Sequence, residues 1–181
     1  MPNVTAGENV TAGENVAASP ASVDPVRRAK VLTASDGVVG GTRVDRSGEV
    51  LCEVLIGAGF DVVERRVVVD GVESVAAALR DLVADFAGLV VTTGGTGFGP
   101  RDLTPEATRL VLEREAPGLA EAMRAINPGP GRLSRGLAGT VGQALVLNTP
   151  GSPRGAQECL AAVLDVLPHA LDLLAGRPTS H

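Results

Sequence analysis

Residues 89–108 read LVVTTGGTGFGPRDLTPEAT, and the fold is decided there. Leu89, Val90 and Val91 are a short β-rich apolar run, the composition of a strand covered on both faces. The next segment, from Thr92 and Thr93 onward, carries Gly94, Gly95, Gly97 and Gly99, with Thr96 and Phe98 between them. Glycines at this density permit positive φ and remove Cβ atoms, so backbone N–H groups can converge on an anion. Thr104, Pro105 and Glu106 then read as an N-cap, a proline at the first helical position and an acidic first turn. A strand, a glycine loop and a helix start build an anion site at the carboxyl edge of an α/β sheet. The loop lacks the Gly-Lys-Ser/Thr ending of a Walker A motif, and GGTGFG fails the G-x-G-x-x-G spacing. Arg101 and Asp102 follow at once, a cation that can reach phosphate and a carboxylate that can hold Mg²⁺ against it.

The composition of the whole 181-residue sequence bounds what this loop can serve. It is 44% hydrophobic and 20% charged, enough for one α/β domain with a substantial core. Aromatics are 2%, without Trp or Tyr, a scarcity that argues against base-stacking nucleic-acid modules. The formal charge of −5 gives no general attraction to nucleic acid or to an anionic membrane. An anionic substrate must therefore be held locally. Cys52 and Cys159 form no C-x-x-C motif and read as buried free thiols in helices. No apolar run reaches the length of a membrane span, and the N-terminus lacks signal-peptide order, so the cytoplasm is expected.

Taken in order, the chain opens with NVTAGE at residues 3–8 and repeats it at 9–14. Two copies of a hexapeptide make no solenoid, so residues 1–26 read as a disordered low-complexity leader and 27–181 as a single domain. Strands are expected at 30–34, 60–69 and 89–91, with helices at 45–58 and 74–86. Further helices are expected at 105–115 and 117–125, and residues 127–132 read as a loop. Residues 138–141 and 144–147 suggest a hairpin turning at Gly142-Gln143. A last helix is expected over 153–174, kinked or restarted by Pro168. The fold class that follows is α/β, three layers, with a mostly parallel sheet flanked by helices on both faces and one short antiparallel hairpin.

TTGGTGFGPRDLTPEAT resembles the signature of the molybdenum cofactor biosynthesis family: Mog-type molybdopterin adenylyltransferases, MoaB proteins and the G domain of gephyrin. The likeness extends over about residues 30–174 and implies the molybdopterin-binding fold. It implies transfer of AMP from ATP to molybdopterin with Mg²⁺; the alternative is a MoaB-like protein that binds molybdopterin without adenylylating it. On this resemblance Asp70 and Asp102 are the catalytic and metal-holding pair. Thr93, Gly94, Gly95, Thr96, Gly97 and Arg101 bind the molybdopterin phosphate, together with Ser35, Asp36, Asp45 and Ser47. For those last four, ordinary capping and turn chemistry is an equally good reading of the residues themselves. Asn148, Pro150, Gly151 and Ser152 match the family's nucleotide-facing loop, with Thr149 where Leu or Met is common. Leu133-Ser134-Arg135 resembles the family's LSR at the mouth of the site, where Ser134 and Arg135 would meet an anionic ligand. A surface salt bridge is the other reading of Arg135. The resemblance further implies a homotrimer, with a hexamer as the alternative, and the pathway's molybdate-inserting enzyme as a partner.

Overall fold

The computed structural model describes residues 24–178. After a 3₁₀ turn at Pro25–Arg27 come β1 (Arg28–Ala34), α1 (Asp36–Val39), α2 (Arg46–Gly57) and β2 (Asp61–Val68). Then follow α3 (Val72–Val83), β3 (Gly88–Thr93), α4 (Thr104–Arg109), β4 (Arg114–Glu115), α5 (Pro117–Ala125) and α6 (Pro128–Gly131). The chain closes with β5 (Ala138–Val141), β6 (Ala144–Thr149), α7 (Pro153–Ala161) and α8 (Leu167–Leu174). The sheet order is β2-β1-β3-β6-β5-β4, with β2, β1, β3 and β6 parallel and β5 antiparallel to both its neighbours.

Strand β3 is buried along its whole length, and its alternation builds three layers. Leu89 and Val91 enter one core with Leu51 and Leu55 of α2, Leu160 of α7 and Leu167 of α8. Val90 enters the other core with Leu79 and Leu82 of α3 and Ala107 of α4. Each such fully buried Val or Leu contributes about 1.5–3 kcal/mol. From β1 the chain steps outward to β2 and then crosses back to β3, so strand order reverses between β1 and β3. At such a reversal the two loops leaving the carboxyl ends part in opposite directions and open a crevice.

Several boundaries differ from those expected. The helix read over 105–115 stops at Arg109, and Arg114–Glu115 joins β5 as an edge strand. Glu113 N–H donates to the Thr140 carbonyl at 2.9 Å and Ala116 N–H to that of Ala138 at 2.7 Å, while Pro117 disfavours helical geometry at Ala116. Residues 128–131, read as loop, form one helical turn entered through Pro128. The last helix divides at 162–166, and Pro168 lies in the first turn of α8, where its missing N–H has no intrahelical partner to lose.

The leader read from the sequence ends at residue 26, yet Val26 is buried in the core. Asp24 caps the 3₁₀ turn and accepts both Arg177 guanidinium bonds at 2.6 Å, while Arg27 pairs with Asp172 at 3.2 Å. The Arg177 hydrogen bonds hold the Asp24 carboxyl down at about 2. The repeated hexapeptides lie outside the described residues.

Candidate functional site

The glycine loop leaves β3 through Thr93, whose hydroxyl donates to the Pro150 carbonyl at 2.8 Å. Gly94 and Gly95 then take φ of 98° and 63°, geometry that L side chains avoid. A Cβ on Gly94 would strike the Ala34 carbonyl; one on Gly95 would strike the Thr104 hydroxyl and lie 3.4 Å from Asp70 Oδ1. At Gly97 and Gly99 it would lie 2.8 Å from Asp102 Oδ2, which accepts the Gly99 N–H at 2.8 Å. The glycines thus let the loop close onto the strand ends and onto Asp102.

Arg135 pins that loop from above. Its backbone N–H donates to the Thr96 carbonyl at 2.9 Å and its Nε to that of Gly97 at 2.7 Å. The other guanidinium nitrogens reach the Asp102 carbonyl and the Glu106 carboxylate. Of the two roles open to Arg135 from sequence, the geometry gives neither a bare surface pair nor a free cation, but a brace for the loop.

At the neighbouring strand ends two aspartates hold each other. Asp36 N–H donates to Asp70 Oδ2 at 2.8 Å, and Asp70 N–H donates to Asp36 Oδ1 at 3.0 Å. Arg101 straddles the pair, donating to both Asp36 oxygens at 3.0 Å and to the Asp70 carbonyl. Those Arg101 bonds keep the Asp36 carboxyl below its ordinary range.

Asp45 caps α2, accepting the Gly48 N–H at 2.9 Å and the Thr33 hydroxyl at 2.8 Å. Arg65 from β2 donates to it at 2.8 and 3.2 Å. Burial opposes its ionisation, but Arg65, the cap and Thr33 outweigh that, and the carboxyl sits below its ordinary range. Its stabilising contribution is therefore complete above the unfolded aspartate pKa of about 3.9 and is lost as pH falls through the depressed folded value. Asp45→Asn is expected to cost about 1–2 kcal/mol at neutral pH. The gap from wild type should close as pH drops below about 4, read from urea midpoints across an acid series. A gap independent of pH would remove the charge from this account.

Between these elements opens a cleft of about 830 Å³. Of the residues singled out from sequence, Ser35, Asp45, Ser47, Asp70, Thr93, Gly94, Gly95, Thr96, Gly97, Asp102, Pro150, Gly151 and Ser152 line it. Asp36 and Arg101 are not among the lining residues; both are exposed and locked on each other. Asn148 is buried, its amide donating to the Thr92 and Thr108 hydroxyls at 3.0 Å and its carbonyl accepting the Leu137 N–H at 3.1 Å. It touches an adjoining hollow of about 430 Å³ that shares Ser134, Pro150 and Ser152 with the main cleft.

Residues 30–169 match the family described as "Probable molybdopterin binding domain". The chain belongs to this family. Among its relatives is the molybdopterin adenylyltransferase of Helicobacter pylori J99, 38% identical over 152 residues, or 81% of this chain and 86% of that one. The Drosophila melanogaster molybdenum cofactor synthesis protein cinnamon is 40% identical over 152 residues, 80% of this chain; the chain spans 25% of cinnamon's length. Among solved structures, the molybdopterin biosynthesis enzyme MoaB of Thermus thermophilus superposes with a TM-score of 0.78 at 46% identity, covering 84% of this chain and 99% of that one. The sheet with its single antiparallel hairpin is the fold of this family.

Family reading and structure part company over some cleft residues. Arg43 and Arg46 line the cleft and were not among the sequence candidates, whereas Ser134 of the LSR stretch lines it as the resemblance implies. The signal for Arg43 was its place in the loop between the β1 end and the Asp45 cap. The two thiols stand apart from the cleft chemistry: Cys52 and Cys159 are free and half-buried, and burial pushes both upward in pKa. Among the described residues no three His, Cys, Asp or Glu side chains gather as a metal-binding group, and no helix is long and apolar enough to cross a membrane.

Proposed function

We propose that this chain acts in molybdenum cofactor biosynthesis as a molybdopterin adenylyltransferase, moving AMP from ATP to molybdopterin. The observation that carries the reading is that Asp70, just past the end of β2, and Asp102, between the glycine loop and α4, line one cleft with that loop. Each carboxylate gives Oδ2 to a backbone N–H and keeps Oδ1 for another partner. Two hard oxygen donors with room for water and phosphate suit Mg²⁺, which rarely takes a full protein cage. When bound, the ion supplies charge neutralisation for phosphate oxygens.

The chain's own residues then have separable tasks. The Gly94 N–H is taken by the Thr149 carbonyl at 3.2 Å, so the loop N–H groups of Gly95 to Gly97 hold the terminal phosphate of the pterin, and Pro150, Gly151 and Ser152 bound the nucleotide. Asp36 and Arg101 position Asp70, Arg135 positions Asp102, and Asn148 ties β6 to β3 beneath the cleft. In the reaction an oxygen of the pterin phosphate bonds to the α-phosphorus of ATP as the bond to pyrophosphate breaks. Positioning and electrostatics suffice for such a transfer, without a nucleophilic side chain.

Incubation with molybdopterin, ATP and Mg²⁺ is expected to give adenylylated pterin and pyrophosphate in equal amounts, with neither formed when Mg²⁺ is withheld. The resemblance to MoaB proteins carries a second reading, binding without transfer; pterin binding with no product would establish it. The family resemblance supports a cytoplasmic homotrimer that hands its product to the molybdate-inserting enzyme. Light scattering separates trimer from hexamer.

A further inference from the structure

Of the cations around the cleft, one is left over. Arg65 is held by Asp45, Arg101 by Asp36, Arg135 by Glu106, and Arg46 pairs with Glu49 at 3.1 Å. Arg43 also lines the cleft, and among the described residues its guanidinium has no hydrogen-bond or ion-pair partner. Its stem is nevertheless placed. Thr42 and Arg43 N–H groups both donate to the Gly37 carbonyl at 2.9 Å, closing the loop back onto α1. The side chain then lies across Gly37: a Cβ there would sit 3.0 Å from Arg43 Cδ and 3.2 Å from Cγ. The same cleft is lined by Asp70 and Asp102, carboxylates that repel an anion entering it.

We infer that Arg43 is the cleft's substrate-positioning cation, laid over Gly37 to meet a phosphate of the incoming substrate. The inference rests on the reading that this cleft takes phosphate-bearing substrates. It reassigns to Arg43 the role expected of Arg101, whose guanidinium is held by Asp36.

The test scores binding alone, titrating molybdopterin and ATP separately into the full chain. Arg43→Ala is expected to weaken at least one of them about tenfold, the loss of a charge-assisted hydrogen bond, and Arg43→Lys should recover most of it. The loss should shrink as salt is raised. Gly37→Ala keeps the charge but displaces the stem, so it should weaken the same substrate about threefold and have no further effect in the Arg43→Ala background. Arg80→Ala, an exposed charge on α3, should change neither titration. Affinities of Arg43→Ala within about twofold of wild type for both substrates would overturn the assignment, as would a Gly37→Ala effect that persists without Arg43. Wild-type binding without AMP transfer would remove the adenylyltransferase reading and leave this test intact.

Discussion

Asp102→Asn and Asp70→Asn are each expected to lower adenylyl transfer at least about 100-fold, about 3 kcal/mol of transition-state stabilisation. Molybdopterin affinity should stay within about tenfold of wild type, because the loop N–H donors are untouched. Asparagine suits the test because its carbonyl can still accept the Gly99 N–H at position 102 and the Asp36 N–H at position 70. What disappears is one negative charge facing the cleft and, with it, a strong ligand for a hard cation. Single-turnover assays beside pterin titrations separate the two effects. Near-normal turnover in both variants would end the metal–carboxylate mechanism, and joint loss of binding and turnover would put these carboxylates on the pterin.

Gly95→Val should abolish detectable molybdopterin binding while the circular dichroism of the fold is kept. From sequence alone, the new side chain fills space reserved for phosphate oxygens. The geometry gives a more specific cause. At φ 63° the added Cβ drives into the Thr104 hydroxyl and crowds Asp70 Oδ1, so the loop must shift and the 3.0 Å bond from Thr104 N–H to the Gly95 carbonyl goes with it. A branched residue in this region of φ adds about 1–3 kcal/mol of strain. Gly95→Ala should be milder, and more so in a Thr104→Ala background where the colliding oxygen is gone. Normal binding by Gly95→Val would mean the glycine loop is not the phosphate cradle.

The alternation Leu89, Val90, Val91 was enough to read a strand covered on both sides, and the glycine run was enough to place the cleft at its end. Both signals are local. What could not be read were pairings closed by distant chain. Nothing in residues 105–115 shows that Glu113 and Ala116 will bond to β5, so a helical pattern was extended too far. Arg101 beside Asp102 looks like a phosphate ligand until Asp36, remote in sequence, is found holding it. Asn148 sits in a loop motif yet turns its amide to Thr92 and Thr108. Capping, by contrast, was partly visible: Asp45 before Ser47-Gly48 reads as a cap, and it accepts the Gly48 N–H, though nothing local pointed to its Arg65 partner.

The clasp of Asp24 with Arg177 brings the entry and exit of the domain to one spot on its surface, away from the cleft. A unit whose ends meet can be spliced into a longer polypeptide at a single place, as if on a short stalk, without rerouting its sheet. Such portability explains how one domain can stand as most of a small adenylyltransferase and also match a quarter of cinnamon.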